Sequence, residues 1–450
     1  MQQLFFTLIT VAAFYVAGKQ FLRIRRNILL GKDASITGDI GQRWRNVVLI
    51  AFGQKKMFKN VLVAVLHAFI YVAFVVTQVE LLEVFVDGFL GTHRFFAPYL
   101  GGLYTFAISS IEVLSALAFV ATLAFLWRRN ILKIARFQKP ELTGWPSRDA
   151  NLILLGEIIL ITAIFTMNGA DRVLQDMGSE HYHHTSGFAI SSWLGPMLFG
   201  NWSETALIAA ERFGWWLHTF TVFGFMVYLP FSKHLHIFLA FPNTYYSKLT
   251  PKGEMENMPL VMNEVRSMMG LPTDGPGMSD QAEMPVIGAN DVTSLTWKNL
   301  LDAYSCTECG RCTAACPANL TGKKLSPRKV MMDVRDRADE VGYKIDTGEQ
   351  QYIRAELRES GAALTAANFD DGRSLFDLIS PEEIHACTTC NACVEACPVS
   401  INPLDIILSM RRHEILTQSA GPTDWLPMFN ALENTGAVWQ MPVDRENWTR

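Results

Sequence analysis

The sequence predicts an all-α protein in two parts, a five-helix transmembrane bundle followed by a helical domain that carries every cysteine. Three observations predict this. Long apolar stretches crowd residues 1 to about 240, all eight cysteines lie between 306 and 397, and few β-branched runs appear between the cysteine groups. Over its 450 residues the chain is 50% hydrophobic and 18% charged, with a net charge of -4. That balance excludes a disordered chain and a nucleic-acid binder driven by bulk charge.

Five apolar windows fall near 4–22, 60–86, 102–127, 151–168 and 206–231, each close to the ~20 residues that cross a ~30 Å hydrocarbon core. The first, LFFTLITVAAFYVAGKQFL, has no basic region before it and no small-residue cleavage site after it, so it is expected to be a retained helix rather than a signal peptide. Buried core helices are the competing reading of all five. The alternation of basic and non-basic loops favours membrane spans.

Between spans one and two stand Arg23, Arg25, Arg26, Lys32, Arg43, Arg45, Lys55 and Lys56, and between three and four Arg128, Arg129, Lys133, Arg136, Lys139 and Arg148. The loops 87–101 and 169–205 carry only Arg94 and Arg172. Positive charge marks the cytoplasmic side, which places the N-terminus outside and, after five crossings, the cysteine half in the cytoplasm.

Polar groups inside spans are costly and point to function. His67 lies in span two, and the fifth span, extended as GWWLHTFTVFGFMVYLPFSKHLHIF, carries His218, His234 and His236. On one continuous helix, His218 and His236 share a face about 27 Å apart, while His234 points away as a solvated neighbour. Imidazoles from facing helices are suited to axial ligation of a b-type haem. Depth pairs His67 with His236, both near the cytoplasmic side, leaving His218 a tentative ligand of a second haem. The position on span two that would complete that second site is Thr77, so one haem is expected. Glu80, Glu83, Glu112 and Glu157 are either proton relays or hydrogen-bonded helix contacts. His93, Arg94 and Glu112 are the candidates for quinone contacts, whereas the loop histidines His93, His181, His183 and His184 otherwise suit a solvated surface.

Residues 241–292, rich in Pro, Gly and Met, form a predicted linker between a membrane domain, 1–240, and a cluster domain, 293–417; a docking tail, 418–450, carries Trp425, Trp439 and Trp448. A helix is expected from about Thr293. Between the cysteine groups helices are expected over SPRKVMMDVRDRADE, QQYIRAELRES and SPEEIHAC, the last with a Ser380–Glu383 capping box. Another follows from Pro403 to about Thr417.

Cys306-x2-Cys309-x2-Cys312-x3-Cys316-Pro317 recurs as Cys387-x2-Cys390-x2-Cys393-x3-Cys397-Pro398. In this spacing three thiolates wrap one corner set of a cubane and the fourth cysteine reaches the other cluster. Cys306, Cys309, Cys312 and Cys397 are thus expected on one [4Fe–4S] cluster, and Cys387, Cys390, Cys393 and Cys316 on the other. Zinc sites use two ligand pairs with a longer gap, and disulfides do not suit a cytoplasmic segment. No cysteine remains for a thiol nucleophile.

At these residues the chain resembles heterodisulfide-reductase-like membrane iron–sulfur proteins. The membrane half looks like the cytochrome b, or gamma, subunits of respiratory nitrate reductase and membrane-bound heterodisulfide reductase. His218 and His236 match that family's last helix, His67 its proximal ligand on the second, and Thr77 departs from the pattern. The cysteine half is similar to the family's two-cluster domain through CTECGRC, GKKLSPRK at 322–329 and ENTGAVWQMP at 433–442. The resemblance implies quinone-linked electron transfer in the respiratory chain of a bacterial or archaeal inner membrane. It commonly implies a CCG module as well, which this sequence lacks.

The expectation is therefore a membrane-bound electron-transfer subunit of an oxidoreductase complex rather than a complete enzyme. It would join quinone, one haem b and two [4Fe–4S] clusters to a separate cytoplasmic CCG-type or flavoprotein partner. The alternatives are a ferredoxin-type membrane assembly or metal-reducing factor, and a redox-sensing scaffold, both without haem.

Overall fold

Four helices of the computed structural model are long and apolar enough to cross a membrane: α1 (Gln2–Ile28), α2 (Val61–Leu90), α3 (Gly102–Asn130) and α4 (Trp145–Met177). A short helix, α5 (Ser191–Phe199), precedes α6 (Glu204–Tyr228), which with the segment beyond it forms a bent fifth candidate. Only 17% to 39% of the apolar window of each long helix is buried inside the protein. Core helices would be enclosed, so side chains such as Leu8, Val75, Val120 and Leu155, all exposed, call for a lipid solvent. The structure describes the whole chain except residues 186, 252, 276–285, 439–448 and 450.

The helix ends follow local chemistry. Asn60 accepts from Val63 N at 3.2 Å to start α2, and Pro146 sits in the first turn of α4, where no N–H is needed. Arg128 and Arg129 in the last turn of α3 complement its dipole. Close packing depends on two glycines. A Cβ at Gly195 of α5 would fall 2.4 Å from the Gly169 carbonyl oxygen of α4, and one at Gly214 of α6 would fall 2.7 Å from Met167 N. Small residues are what let helix backbones approach in a bilayer. Phe6 of α1 is buried between α2 and α6, against Phe89 at 5.1 Å and Trp215 at 5.6 Å.

The fifth span departs from the continuous helix expected from the sequence. It ends at Tyr228, and the chain bends by 92° before α7 (His236–Tyr245). Pro230 lacks an N–H and clashes with the preceding turn, and Ser232 is extended at φ -121° and ψ 160°, its hydroxyl accepting from His234 N at 3.0 Å. His218 and His236 therefore share no helical face.

Beyond the bend the cysteine half is helical, with α8 (Trp297–Tyr304), α9 (Arg311–Ala315), α10 (Pro327–Thr347), α11 (Pro381–His385), α12 (Ala392–Ala396), α13 (Pro403–Arg412) and α14 (Leu426–Thr435). Among the described residues only two isolated bridges, Lys32–Thr296 and Ile353–Phe369, have β character. The predicted capping box is present, with Ser380 N donating to Glu383 Oε2 at 2.9 Å and Glu383 N to Ser380 Oγ at 3.3 Å. The stretch QQYIRAELRES is two short 3₁₀ turns, Gln350–Tyr352 and Ala355–Ser360, rather than an α-helix. Trp439, Trp448 and residues 439–442 of ENTGAVWQMP lie outside the described residues.

The two halves share one apolar core. Ile24, Ile28 and Leu30 at and just after the C-terminal end of α1, with Leu229 and Leu235 at the bend, pack in the same cluster as Leu300, Val334 and Val341 of the cysteine half. Asn27, fully buried, donates to Tyr304 Oη at 2.9 Å and Asp339 Oδ1 at 2.8 Å. Arg328, also fully buried, reaches across to Glu141 Oε1 at 2.7 Å and the Arg136 carbonyl at 2.8 Å. Gly31 allows α1 to run on against the cysteine half, since a Cβ there would sit 2.6 Å from Trp297 N. Within the expected linker, Asn243 is itself buried and donates to the Val399 carbonyl at 2.9 Å.

One buried ion group holds the cysteine half together. Arg337, whose side chain is fully enclosed, donates to Asp291 Oδ2 at 2.6 Å and Asp371 Oδ1 at 2.8 Å. Burial opposes ionisation of Asp371, yet Arg337 and Lys344 hold it well below the usual carboxylate range. Removing one partner of a buried pair strands the others. Arg337→Met is expected to destabilise the domain by about 3–5 kcal/mol, measured by thermal unfolding of the cluster-loaded protein; a loss under about 1 kcal/mol would contradict the assignment.

Candidate functional site

The two cysteine motifs fold alike. Glu308 (φ 54°) and Gly310 (φ 69°) in the first correspond to Thr389 (φ 56°) and Asn391 (φ 60°) in the second. These left-handed residues curl each loop so that its own N–H groups face sulfur: Glu308 N stands 3.4 Å from Cys306 Sγ, and Thr389 N 3.4 Å from Cys387 Sγ. Glycine and asparagine are the residues that tolerate this conformation best. The short helices α9 and α12 that follow pack side by side, and each delivers its fourth cysteine to the opposite loop.

The electrostatic neighbours of the sulfurs are compatible with that crossing, although Cys312 and Cys393 of the two motifs also feel each other. Cys397 lies within electrostatic reach of Cys306, Cys309 and Cys312, and Cys316 within reach of Cys387 and Cys393. Ile401 N, at 3.3 Å, faces Cys397 Sγ as well. Burial pushes the Cys306 and Cys393 thiols up to about 12 and Cys397 to about 11, and neighbouring sulfurs add to the shift. Only a cationic centre makes such sulfurs thiolates, so the donor set fits iron. No two of the eight cysteines are joined in a disulfide. Zinc draws its ligands to about 2.3 Å of one ion, and among the described residues no group of three or more His, Cys, Asp or Glu is arranged for a single metal ion. Cys390 is exposed, whereas Cys306, Cys316, Cys393 and Cys397 are buried.

The first cysteine loop is pinned to the bend of the fifth span. Lys233, five residues beyond the end of α6, donates to Glu308 Oε2, and Arg335 Nη1 to Glu308 Oε1 at 2.8 Å. Burial alone would raise Glu308, but Lys233 and Arg335 hold it below its ordinary value. Lys233 is fixed in turn by the Pro146 carbonyl at 2.7 Å, and its backbone N by Asp149 at 3.0 Å. Sequence reasoning missed this clamp because its partners Glu308 and Arg335 lie 75 and 102 positions away.

The bend also gathers imidazoles. His67 and His234 are both within electrostatic reach of His236, and the rings of His234 and His236 lie 6.0 Å apart. His234 is half-buried and packs on Phe225 at 5.8 Å, so it is part of this group and not the solvated neighbour the straight helix implied. His67 Nδ1 meets Gln54 Oε1 at 3.0 Å and His236 Nδ1 meets the Lys233 carbonyl at 2.9 Å. His236 Nδ1 faces a carbonyl and carries the proton, as does His67 Nδ1 with Gln54 turned oxygen-first, an arrangement that leaves both Nε2 lone pairs for a metal. Gln54 holds its place through a left-handed backbone, φ 48°.

The other expected positions fall elsewhere. His218 is buried in the middle of α6 with Nδ1 unpartnered, and Thr77 Oγ1 turns to its own helix at the Phe74 carbonyl, 3.2 Å away. Arg94 is buried and bonded to Asp171, to Asn168 Oδ1 at 2.8 Å and to Tyr104 Oη at 3.0 Å. Glu112 accepts from Ile190 N at 2.8 Å, Ser191 N at 3.0 Å and Asn168 Nδ2 at 3.2 Å, and from the Ser191 hydroxyl. Arg94 and Glu112 thus tie α3, α4 and the start of α5 to the loop after α2 and have little polar capacity left for a quinone. Glu83 joins them through Tyr104 Oη at 2.7 Å, while Glu80 is buried without a partner. His93 borders a cavity of about 550 Å³ with Tyr182 and Arg212 and lies 3.5 Å from Asp171, so it is not the solvated loop residue expected. The 24 positions from His67 to Gly91, the residue just after α2, correspond to about 36 Å of rise, which sets this cavity far from the imidazole group.

Comparison with known proteins agrees with the cysteine geometry. Residues 305–401 match the family model described as "4Fe-4S dicluster domain". Over 459 aligned residues, 99% of this chain and 60% of the relative, the chain is 27% identical to "Probable iron-sulfur-binding oxidoreductase FadF" of Bacillus subtilis (strain 168). It is 28% identical to "EtfAB:quinone oxidoreductase" of Syntrophomonas wolfei subsp. wolfei over 89% of this chain and 52% of that one. A shorter match, 27% identical over 35% of each chain, is to one component of the heterodisulfide reductase of Methanosarcina mazei. The chain thus spans a little over half the length of the first two relatives. No solved structure matches it. The chain is similar to iron–sulfur oxidoreductases, with a two-cluster [4Fe–4S] domain behind a set of apolar helices.

Proposed function

We propose that the chain is the membrane-bound electron-transfer subunit of a quinone-linked oxidoreductase. It carries one b haem on His67 and His236 and two [4Fe–4S] clusters, one on Cys306, Cys309, Cys312 and Cys397, the other on Cys387, Cys390, Cys393 and Cys316. The bundle spans the bacterial or archaeal inner membrane with the N-terminus outside and the cluster domain in the cytoplasm, as the basic loops favour. When bound, these groups take up and release single electrons; the chain holds them in line and sets the charge around them.

The observation that carries this reading is the docking of the first cysteine loop on the imidazole-bearing bend. Lys233 joins the bend to Glu308, and Arg311 of the same loop lies within electrostatic reach of His67. The order of carriers is then haem, first-motif cluster, second-motif cluster. Exposed Cys390 marks the end at which a separate soluble redox partner, of CCG or flavoprotein type, exchanges electrons. A relative whose name specifies a quinone oxidoreductase supports the quinone at the other end.

The test is reduction of the purified full chain by a short-chain quinol analogue, with the haem followed optically and the clusters by electron paramagnetic resonance. The haem is expected to be reduced first and the clusters after it. Cluster reduction with an oxidised haem, or no response to the quinol, would overturn the proposal.

A further inference from the structure

The segment between α3 and α4 presses a cation onto the first cysteine loop. Its first 3₁₀ turn, Ala135–Phe137, packs against α9. The Arg136 carbonyl accepts from Arg328 Nη1 at 2.8 Å and would lie 3.4 Å from a Cβ at Gly310, the residue after Cys309. The Arg136 guanidinium lies over the Phe137 ring at 4.9 Å, and its Nε is buried without an acceptor. Cys309 supports its charge against Arg311, Arg128 and Arg328. Arg311 itself stands between Cys309 and Cys312, and Lys56, bonded to Ser400 Oγ at 3.2 Å, lies within electrostatic reach of Cys397. The carboxylate of this loop, Glu308, is already matched by Lys233 and Arg335. At the second loop the cation is Arg411, whose Nε and Nη2 are engaged by the carbonyls of Ile384, at 2.8 Å, and Cys387.

We propose that Arg136 donates from Nε to the sulfurs of the first-motif cluster and, with Arg311 and Lys56, holds the reduction potential of that cluster above that of the second. A cluster held by four thiolates is an anion, and reduction makes it more negative, so cations and N–H donors at its sulfurs favour the reduced form. Arg136 and Lys56 belong to the membrane half, which thereby decides which cluster an arriving electron occupies. One electron enters the first-motif cluster from its donor, and no bond or proton moves with it. The inference rests on the two cluster ligand sets above and not on the haem.

The test is an anaerobic titration of the purified full chain with dithionite, followed by electron paramagnetic resonance, with Cys316→Ser identifying the first-motif signal. The parent is expected to fill the first-motif cluster before the second, and the reverse order would overturn the proposal without any variant. Arg136→Gln should lower the reduction equilibrium of the first-motif cluster about tenfold, which is 59 mV for one electron, and leave the second within about twofold. Arg136→Lys, which keeps the charge, should recover most of that fall, a rescue that a merely structural role would not give. If Arg136→Gln fails to hold the cluster, Arg311→Gln carries the same expectation with a smaller fall. An unchanged first-motif cluster, or equal falls in both clusters, would contradict the proposal. A parent with well under about eight cluster irons would instead bring down the ligand sets on which it rests.

Discussion

Cys316→Ser is expected to abolish the cluster of the second motif and spare that of the first, and Cys397→Ser to do the reverse. Each variant should keep about four of eight cluster irons, because each [4Fe–4S] cluster depends on three cysteines from one loop and one from the other. The physical reason is the packing of α9 against α12. Each helix ends on a cysteine that faces the partner loop, so Cys397 sits among Cys306, Cys309 and Cys312. Serine keeps the shape but binds iron poorly, and the remaining sulfurs, which burial holds as neutral thiols, lose the positive charge that ionises them. Power spectra of the two clusters by electron paramagnetic resonance would separate them. Loss of the first-motif cluster alone in Cys316→Ser would contradict the crossed arrangement.

His67→Ala and His236→Ala are each expected to abolish the low-spin b-haem spectrum, whereas His234→Ala should retain it. The difference lies in orientation. His67 and His236 have Nδ1 engaged by Gln54 and by the Lys233 carbonyl, at 3.0 Å and 2.9 Å, and so present Nε2 to a metal, while His234 has no such Nδ1 anchor among the described residues and lies tilted against the Phe225 and His236 rings, at 55° and 40°. Gln54→Leu removes the partner that fixes the His67 ring without touching the ligand. Loss of such an outer hydrogen bond commonly weakens metal affinity about 10- to 100-fold, so haem should remain detectable but dissociate more readily. Retention of the spectrum in both His67→Ala and His236→Ala would remove the ligand assignment.

Much of this architecture was legible in the sequence because its signals are local. Apolar windows of span length, the two cysteine repeats, and caps such as Ser380 with Glu383 each specify their own structure within a few turns. What failed were inferences that extrapolate one local rule over distance. Treating 206–236 as a single helix placed His218 and His236 on one face, but Pro230 removes a hydrogen bond at the point where the chain can turn, and the 92° bend separates them. Arg94 and Glu112 looked like functional charges inside a membrane, and only the tertiary structure shows them satisfied by Asp171, Asn168, Tyr104 and Ser191. The contacts that join the halves, Lys233 with Glu308 and Arg328 with Glu141, span 75 and 187 positions and leave no mark in spacing. The left-handed Gln54 that supports His67 is likewise invisible in sequence, since glutamine carries no preference for that backbone.

The central claim is that one chain aligns a haem and two clusters across the membrane boundary. Iron, sulfide and haem quantitation on the detergent-purified protein, with a reduced-minus-oxidised spectrum, tests it most directly. The account predicts about eight cluster irons with as many sulfides and about one b haem per chain. Eight irons without haem would contradict it and favour a haem-free assembly factor or redox-sensing scaffold, and two haems would contradict the assignment of a single site at His67 and His236.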